Sequence, residues 1–185
     1  MTFQPGSSVT LPQPPVLITP TQDEHGYRSA LARFATGVAV VTSLTPQGTP
    51  IGLTVSSFST LSLHPPLVLW SLGLSSSLLE IFQNCPHYAI NVLREDQLDL
   101  ALQFARRGVD RFAGIACHPG GTGVPILDHA LAWFECKNRS RYPEGDHTIL
   151  VGEVERCAFA EGLPLIHHSR DYYSSAPHRA AGAEE

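Results

Sequence analysis

The chain has 185 residues, of which 43% are hydrophobic and 16% are charged. This length suits a single domain with room for an extension, and the apolar content excludes a chain that is disordered throughout. The formal net charge of −5, without any basic stripe, argues against a nucleic-acid partner. No apolar run reaches the roughly 18 residues that a membrane-spanning helix requires, so a transmembrane protein is not expected. A charged fraction below the usual value of about 25% favours an oligomer.

The N-terminal segment 1–20 is a Pro-rich arm with five prolines and with neither helical nor strand periodicity. We expect a mobile tail over its first dozen residues; the alternative is an arm that packs on a neighbouring subunit. The segment lacks the basic and apolar regions of a secretory signal, so a cytoplasmic location is expected. Wide cysteine spacing predicts reduced thiols rather than a disulfide framework or a zinc site. The cysteines are Cys85, Cys117, Cys136 and Cys157.

The pattern after the arm predicts one helix followed by a β-hairpin. The segment from Thr21 to Glu24 fits a capping box, and apolar residues then recur at helical spacing until Gly37. Short β-branched runs at 38–43 and 51–55 flank a turn that contains Pro and Gly. This arrangement predicts a pair of antiparallel strands.

The remaining elements mix strands and helices irregularly. Helices are predicted at 75–84 and 97–107, the second capped by Asp96, and strands at 67–72, 87–93, 131–137 and 148–159. Several neighbouring strands are hairpin-close and do not alternate strictly with helices. The order therefore predicts a mainly β fold, an antiparallel sheet or barrel with a few inserted helices, rather than a doubly wound parallel sheet.

The densest polar feature is an uncharged run of hydroxyl side chains between Gly52 and Ser62. Small hydroxyls and backbone N–H groups can converge on a phosphate without bulk, so this run is a candidate anion site. The commoner origin of such a run is a Ser- and Thr-rich edge strand and loop. Composition alone does not choose between these interpretations.

A second candidate lies before the last long strand, where Gly145 and Asp146 suit a turn that leaves His147 at the strand mouth. The simpler interpretation is a turn with a surface histidine. Adjacent His167 and His168 point apart in regular structure and have no third ligand at a standard spacing, so no metal site is expected.

Several common site motifs are absent from the sequence. The glycine cluster 120–123 is not followed by the GK[ST] of a phosphate-binding loop. Neither a dinucleotide-binding GxGxxG after a strand nor a GxSxG nucleophile elbow is present. Nothing in the sequence therefore points to a Rossmann site or to a serine hydrolase.

A set of short segments keeps a specific joint order and spacing along the chain. They are Phe34–Val38, Gly52–Ser62, Pro65–Leu67, Asn91–Leu93, Gln97, Phe104–Ala105, Arg111–Phe112, Leu131–Cys136, Gly145–His147 and Gly152–Val154. Together they resemble the short-chain flavin reductases, the FMN-binding split-barrel reductase components of two-component flavin monooxygenases. The resemblance covers about Tyr27 to Tyr172 and leaves the Pro-rich arm outside. It places a reductase-like domain at 21–175, followed by a flexible tail at 176–185.

The resemblance implies an antiparallel Greek-key split β-barrel, which forms a homodimer with one flavin per subunit near the interface. It places Thr54, Ser56 and Ser57 around the ribityl phosphate and the edge of the flavin. The residues implied on the flavin side are Thr54, Val55, Ser56, Ser57, Ser71, Leu72, Asn91, Phe104, Ala105 and Arg111. The residues implied on the nicotinamide side are Asp146, His147 and Tyr172.

The implied activity is that of an NAD(P)H-dependent flavin reductase that passes hydride from nicotinamide to FMN or FAD and supplies reduced flavin to a partner monooxygenase. Hydride transfer between stacked rings requires exclusion of water but no protein nucleophile, which agrees with an uncharged site. One alternative is a flavin-binding electron-transfer or sensor protein of the same fold, and another is an obligate dimer without flavin. The choices between FMN and FAD and between NADH and NADPH stay open, with Arg139, Arg141 or Arg170 as candidates for a 2′-phosphate.

Overall fold

The computed structural model describes residues 15–174 and has a mainly β structure. Its helices are α1 (Glu24–Leu31), α2 (Leu79–Asn84) and α3 (Leu98–Ala105). Its strands are β1 (Thr36–Gly37), β2 (Ala39–Leu44), β3 (Pro50–Val55), β4 (Ser59–Leu63), β5 (Pro66–Gly73), β6 (His87–Val92), β7 (Cys117–Pro119), β8 (Pro125–Leu127), β9 (Ala132–Glu144), β10 (His147–Phe159), β11 (Ile166–His168) and β12 (Asp171–Tyr173). The predicted tail 176–185 and the first 14 residues of the predicted arm lie outside the described residues.

Seven strands form one antiparallel sheet in the order β3-β2-β6-β9-β10-β5-β4. The two edge strands, β3 and β4, are consecutive in the chain and are joined by residues 56–58. A flat sheet of seven strands would separate its edges by about 29 Å, whereas this link spans at most about 14 Å. The sheet must therefore curl until its edges approach each other without pairing, as in a split barrel. The prediction of a mainly β, antiparallel fold is confirmed.

The hydroxyl-rich run is divided between two strands. Its first part ends β3, and its second part forms β4, which pairs with β5 through Ser59 and Leu69. The interpretation as an edge strand is therefore correct for Ser59–Leu63. Two small sheets, β1-β11-β12 and β7-β8, were not predicted because strands of two or three residues are too short for a period to show.

The caps predicted at two helix starts, a capping box at Thr21–Glu24 and a cap at Asp96, are wrong. Asp23 rather than Thr21 caps α1, because its Oδ1 accepts a hydrogen bond from the Gly26 amide at 2.7 Å. Glu24 instead pairs with Arg28 one turn later. Asp96 likewise does not cap α3, since its carboxylate accepts hydrogen bonds from the Arg94 guanidinium. Gln97 occupies the cap position, but its side chain makes no capping hydrogen bond to the helix.

Three aromatic side chains fill the centre of the barrel. Trp70 on β5 packs edge-on against Phe82 and Tyr88, with ring centroids 5.1 and 5.7 Å apart, and all three are fully buried. Gly152 on β10 makes this packing possible, because a Cβ there would lie 2.5 Å from the Tyr88 hydroxyl and 2.9 Å from the Cys136 Cβ.

Substituting Gly152 with alanine should lower the free energy of unfolding by about 1–3 kcal/mol, because the new methyl group overpacks a filled core. The melting temperature measured by calorimetry should fall by several degrees. Gly37→Ala is the matched control, since a Cβ at Gly37 on β1 meets nothing within 4 Å. Equal melting temperatures for Gly152→Ala and Gly37→Ala would contradict the packing described for Tyr88.

The glycine cluster at 120–123 binds a carboxylate of its own chain. Glu135, whose side chain is 1% exposed, accepts hydrogen bonds from the Gly121 amide at 3.1 Å and from the Thr122 amide at 2.6 Å. Arg156 lies 3.6 Å from the same carboxylate. A Cβ at Gly120 would stand 2.8 Å from Glu135 Oε1, so a side chain at this position would displace the carboxylate from its present place. The cluster is thus a structural clamp.

Acid should weaken this clamp. Burial raises the pKa of Glu135, but hydrogen bonds from Thr122 and Gly121 and the charge of Arg156 outweigh it and hold the pKa below its ordinary value. A depressed folded-state pKa contributes stability above the unfolded pKa of about 4.3, and that stability is lost as pH falls through the folded-state pKa. We expect Glu135→Gln to lower the free energy of unfolding by about 2 kcal/mol at pH 7 and by less at pH 3. Urea unfolding of the wild type and of Glu135→Gln at pH 7 and pH 3 measures this difference. An equal difference in the free energy of unfolding at both pH values would exclude this role.

Candidate functional site

A cleft lies between β3, the end of β5, the end of α3 and the loop 106–112. It consists of three adjoining cavities of about 370, 270 and 170 Å³. Ser75, Ser77, Arg107 and Arg111 line both the first and the second cavity, and Thr54 and Ala105 line both the second and the third. A larger cavity of about 650 Å³ near the start of β6 contains none of the sequence-predicted site residues. The continuous cleft is therefore the candidate site.

Most of the predicted flavin-side residues meet in this cleft. Its lining includes Thr54, Val55, Ser56, Leu72, Phe104, Ala105 and Arg111. Thr54 Oγ1 donates a hydrogen bond to the Ala101 carbonyl at 2.6 Å and so ties β3 to α3. A Cβ at Gly52 would lie 2.8 Å from the Phe104 ring, so this close approach of α3 to β3 depends on glycine. Roles for these residues in flavin binding stay predictions.

Ser57 and Ser71 form a seam beside the cleft. Ser57 Oγ donates to the Ser71 carbonyl and accepts from the Ser71 amide, both at 3.0 Å. This pair of bonds fastens the link between β3 and β4 onto β5. Neither residue is part of the lining of the three cavities, and the Ser57 hydroxyl proton is already engaged.

Arg111 lines the cleft and also holds the neighbouring loop in place. Its guanidinium donates hydrogen bonds at 2.7 Å to the carbonyls of Gly52 and Arg106, which pins the loop 106–112 against β3. Burial lowers the pKa of Arg111, and the nearby charge of Arg107 lowers it further. Arg107 itself lines two cavities and forms no ion pair within residues 15–174. It is the uncommitted cation of the cleft.

Sequence reasoning missed Arg107 and the serines Ser75 and Ser77, which line the same two cavities as Arg107. One signal was present: three consecutive serines follow β5, and a pair of arginines follows α3. Their convergence depends on contacts between segments about 30 residues apart. Hydroxyls beside a free guanidinium are suited to hold a phosphate group.

The structure does not bring Asn91 into the cleft. Asn91 is fully buried on β6, and its amide donates hydrogen bonds to the Val40 carbonyl and to Thr42 Oγ1, both at 3.1 Å. Its Oδ1 accepts from the Leu127 amide at 2.9 Å. These bonds use both N–H donors and one acceptor position of the Asn91 side-chain amide, and they join β2, β6 and β8.

His147 and Asp146 lie where β10 begins. His147 Nδ1 is 2.6 Å from Asp146 Oδ1, and this hydrogen bond lowers the pKa of Asp146. The imidazole lies beside Gly73: a Cβ at that glycine would be 3.6 Å from His147 Nε2, which is ordinary van der Waals contact. Gly73 lines the second cavity, so the half-exposed imidazole sits at the rim of the cleft.

Tyr172 lies at the third cavity, whereas His147 lies beside the second. It lines the third cavity with Val55, Ser56 and His167, and its ring centroid is 5.2 Å from that of His167. Of the three residues predicted on the nicotinamide side, Tyr172 lines the third cavity, whereas Asp146 and His147 line none of the three cavities. The position of His167 at the cleft was not predicted from the sequence.

The described part of the chain does not meet the requirements of a metal site, a membrane-spanning helix or a disulfide. Between residues 15 and 174, no group of three or more His, Cys, Asp or Glu side chains is arranged to hold a metal ion. In the same range no helix is long and apolar enough to cross a membrane. The cysteines are free thiols, and burial raises the pKa of Cys136 to about 12.

Comparison with known proteins identifies the family. The model of the flavin reductase like domain matches residues 31–176. The FMN reductase (NADH) SmoA of Agrobacterium fabrum is 44% identical over 85% of this chain and 90% of its own length. The reductase subunit HsaB of a flavin-dependent monooxygenase from Mycobacterium tuberculosis is 33% identical over 87% of both chains. The structure of the Streptomyces globisporus NADH:FAD oxidoreductase SgcE6 is 31% identical and superposes with a TM-score of 0.84 over 93% of this chain and 98% of its own. The chain therefore belongs to the flavin reductase like domain family.

Proposed function

We propose that this protein is an NAD(P)H-dependent flavin reductase that delivers reduced FMN or FAD to a separate monooxygenase. The observation that carries the proposal is the cleft, which combines a free arginine and serine hydroxyls at one end with an uncharged wall at the other. Relatives named as NADH-dependent FMN and FAD reductases, and as the reductase subunit of a monooxygenase, support it.

The donor set of the cleft fits a flavin mononucleotide unit. Arg107, Ser75 and Ser77 would hold its phosphate through charge-assisted and hydroxyl hydrogen bonds. Thr54, Ser56 and Ala105 would flank the ring system, because small side chains there leave room for a flat aromatic group. Ser57 and Ser71 would keep this wall rigid through their mutual hydrogen bonds.

Bound flavin and nicotinamide coenzyme would themselves supply the hydride chemistry. The contribution of the chain is to bind both rings, to orient them and to exclude water. The His147 imidazole, oriented by Asp146, would contact the nicotinamide coenzyme from the rim near Gly73. Asp146 is negatively charged in the neutral range, and the hydrogen bond to His147 lowers its pKa further, so its carboxylate can orient the imidazole.

The deciding experiment follows NADH absorbance in air with purified protein and FMN, with FAD and NADPH in parallel arms. We expect NADH loss that scales with protein concentration and exceeds the flavin-only blank. Retention of bound flavin through gel filtration without NADH oxidation would overturn the proposal in favour of an electron-transfer or sensor protein. No flavin binding in the micromolar range would leave the dimer without flavin as the remaining interpretation.

Delivery to a partner oxygenase has its own test. The reductase and a flavin-dependent oxygenase of known substrate are placed on opposite sides of a dialysis membrane that passes only small molecules. Product formation that depends on the reductase would support release of reduced flavin. Absence of product, with NADH still consumed, would contradict supply by diffusion.

We also propose a cytoplasmic homodimer. Large apolar side chains at Leu63 and Phe159 are 82% and 85% exposed, which favours a covered surface in an assembly. The free thiols favour a reducing compartment. Light scattering coupled to gel filtration should give twice the chain mass of 20.1 kDa. A monomer mass would exclude the dimer.

A further inference from the structure

A larger cavity lies apart from the cleft. It has a volume of about 650 Å³ and lies between the turn that joins β2 to β3, the helix α2, the start of β6 and the loop that joins β7 to β8. It shares no lining residue with the three cavities of the cleft. Cavities of this size, formed where several elements meet, are the usual sites of small molecules in proteins. A ligand in this cavity would leave the cleft free for flavin.

The wall of this cavity exposes mostly apolar surface. Several of its polar groups are already engaged within the chain: Ser43 Oγ donates to the His87 carbonyl at 2.8 Å, and the Thr122 amide donates to Glu135 Oε1 at 2.6 Å. The Cys85 thiol is buried, and burial raises its pKa, so it stays uncharged at neutral pH. Such a wall favours a hydrocarbon portion, such as an aromatic ring, in its ligand. The apolar residues of the lining are Leu44, Pro46, Ile81, Cys85, Pro86 and Val124.

One side of the cavity carries an uncommitted negative charge. Glu80 and Asn84 both line it and lie one helical turn apart on α2, so their side chains share a face of the helix. Glu80 forms no ion pair in the part of the chain that the structure describes. The Asn84 amide nitrogen donates to the Glu80 carbonyl at 2.8 Å, which leaves Asn84 Oδ1 as an acceptor.

No positive side chain balances this charge inside the cavity. Among the described residues that line it, neither lysine nor arginine is present. The His87 imidazole pairs with Glu155 at 3.5 Å rather than with Glu80. The cavity therefore offers hydrogen-bond acceptors and a carboxylate beside an apolar wall, which is the complement of a cation that carries a hydrocarbon group.

We propose that this cavity binds a small aromatic amine, with its ammonium group held by Glu80 and Asn84. The apolar wall takes the ring, and the carboxylate and the amide oxygen accept hydrogen bonds from the ammonium group. An aromatic carboxylate of the same shape is disfavoured, because it would meet an anion and no cation. This inference is independent of the proposed function, since the site can bind an amine whether or not the protein oxidises NADH.

The first test uses phenethylamine as the probe and hydrocinnamate as its anionic counterpart of similar size. In titration calorimetry with the full chain, phenethylamine should bind saturably with one molecule per chain, and hydrocinnamate should not bind. Saturating FMN should leave the affinity for phenethylamine unchanged, because the cavity and the cleft share no lining. Equal binding of the two probes, displacement of phenethylamine by FMN, or no saturable binding of phenethylamine in the millimolar range would each overturn the proposal.

Substitutions on α2 locate the probe. Glu80→Gln should weaken phenethylamine binding about fivefold rather than more, because the Glu80 side chain is exposed and its charge is screened by solvent, and the loss should shrink at high salt. Ile81→Trp, which fills the cavity, should remove binding of the probe while FMN affinity stays as in the wild type.

Asp99→Asn on α3 is the matched control for the charge. Asp99 is also an exposed carboxylate on a helix and has no ion pair within residues 15–174, but it does not line the cavity. It should bind phenethylamine as the wild type does. Equal affinities in the wild type, Glu80→Gln and Asp99→Asn would overturn the assignment of the ammonium group to α2.

Discussion

Arg107→Ala should weaken FMN binding about tenfold. Arg107 is the uncommitted cation of the cleft and lines the second cavity together with Ser75 and Ser77. A charge-assisted hydrogen bond to a phosphate contributes about 1.5 kcal/mol, which is about tenfold in affinity. Quenching of flavin fluorescence on binding measures the dissociation constant. Because the contact is to the phosphate, the affinity for riboflavin, which lacks that group, should not change.

The neighbouring Arg106 provides the matched control. Arg106→Ala removes the same charge from the same loop, but the Arg106 side chain does not line the cleft, and its hydrogen bonds to Arg111 and Gln103 are made by its backbone. It should bind FMN as the wild type does. An equal loss of FMN and riboflavin affinity in Arg107→Ala would show that the substitution disturbs the loop rather than a phosphate contact, and would refute our assignment.

His147→Ala should raise the NADH KM about tenfold and leave the flavin dissociation constant unchanged. The imidazole stands over Gly73 at the rim of the cleft, and loss of one good hydrogen bond to a bound coenzyme costs about 1–1.5 kcal/mol. Steady-state kinetics with saturating FMN measure the KM, and fluorescence titration measures the flavin affinity. Asp146→Asn should give a smaller rise, because it removes the charge that orients the ring.

A second His–Asp pair elsewhere in the molecule serves as control. His118 Nδ1 lies 2.7 Å from Asp128 Oδ1 beside the β7-β8 sheet, away from the cleft. His118→Ala should leave the NADH KM and the flavin affinity unchanged. If His147→Ala and His118→Ala behaved alike, His147 would be an ordinary turn histidine, as the simpler interpretation of the sequence had it.

The sequence by itself determined the class of fold and the approximate place of most elements. Strand and helix periods are local, so runs such as 38–43 and 148–159 predicted β2 and β10 closely. The order of elements predicted an antiparallel sheet with inserted helices, and the joint spacing of short segments predicted the family. The same segments pointed to β3 and α3 as walls of the site.

Only the tertiary structure decided which side chains face the cleft. Thr54 contacts the carbonyl of a residue 47 positions away, and Asn91 bonds to Leu127 from across 36 positions. No local pattern encodes such distances, and a polar side chain on a strand is equally suited to a ligand or to the core. Tertiary contacts therefore assigned Asn91 to the core and Ser57 to a seam.

The groups that complete the site came from loops, where no period exists. Arg107 follows the end of α3, and its loop is fixed by Arg111, which bonds to the distant Gly52 carbonyl. The barrel curls because β3 and β4 are joined by a short link, and this brings the ends of β3, β5 and α3 together. The sequence thus supplied the elements and the family, while the closure of the sheet and the anchoring of loops determined the cleft and its charges.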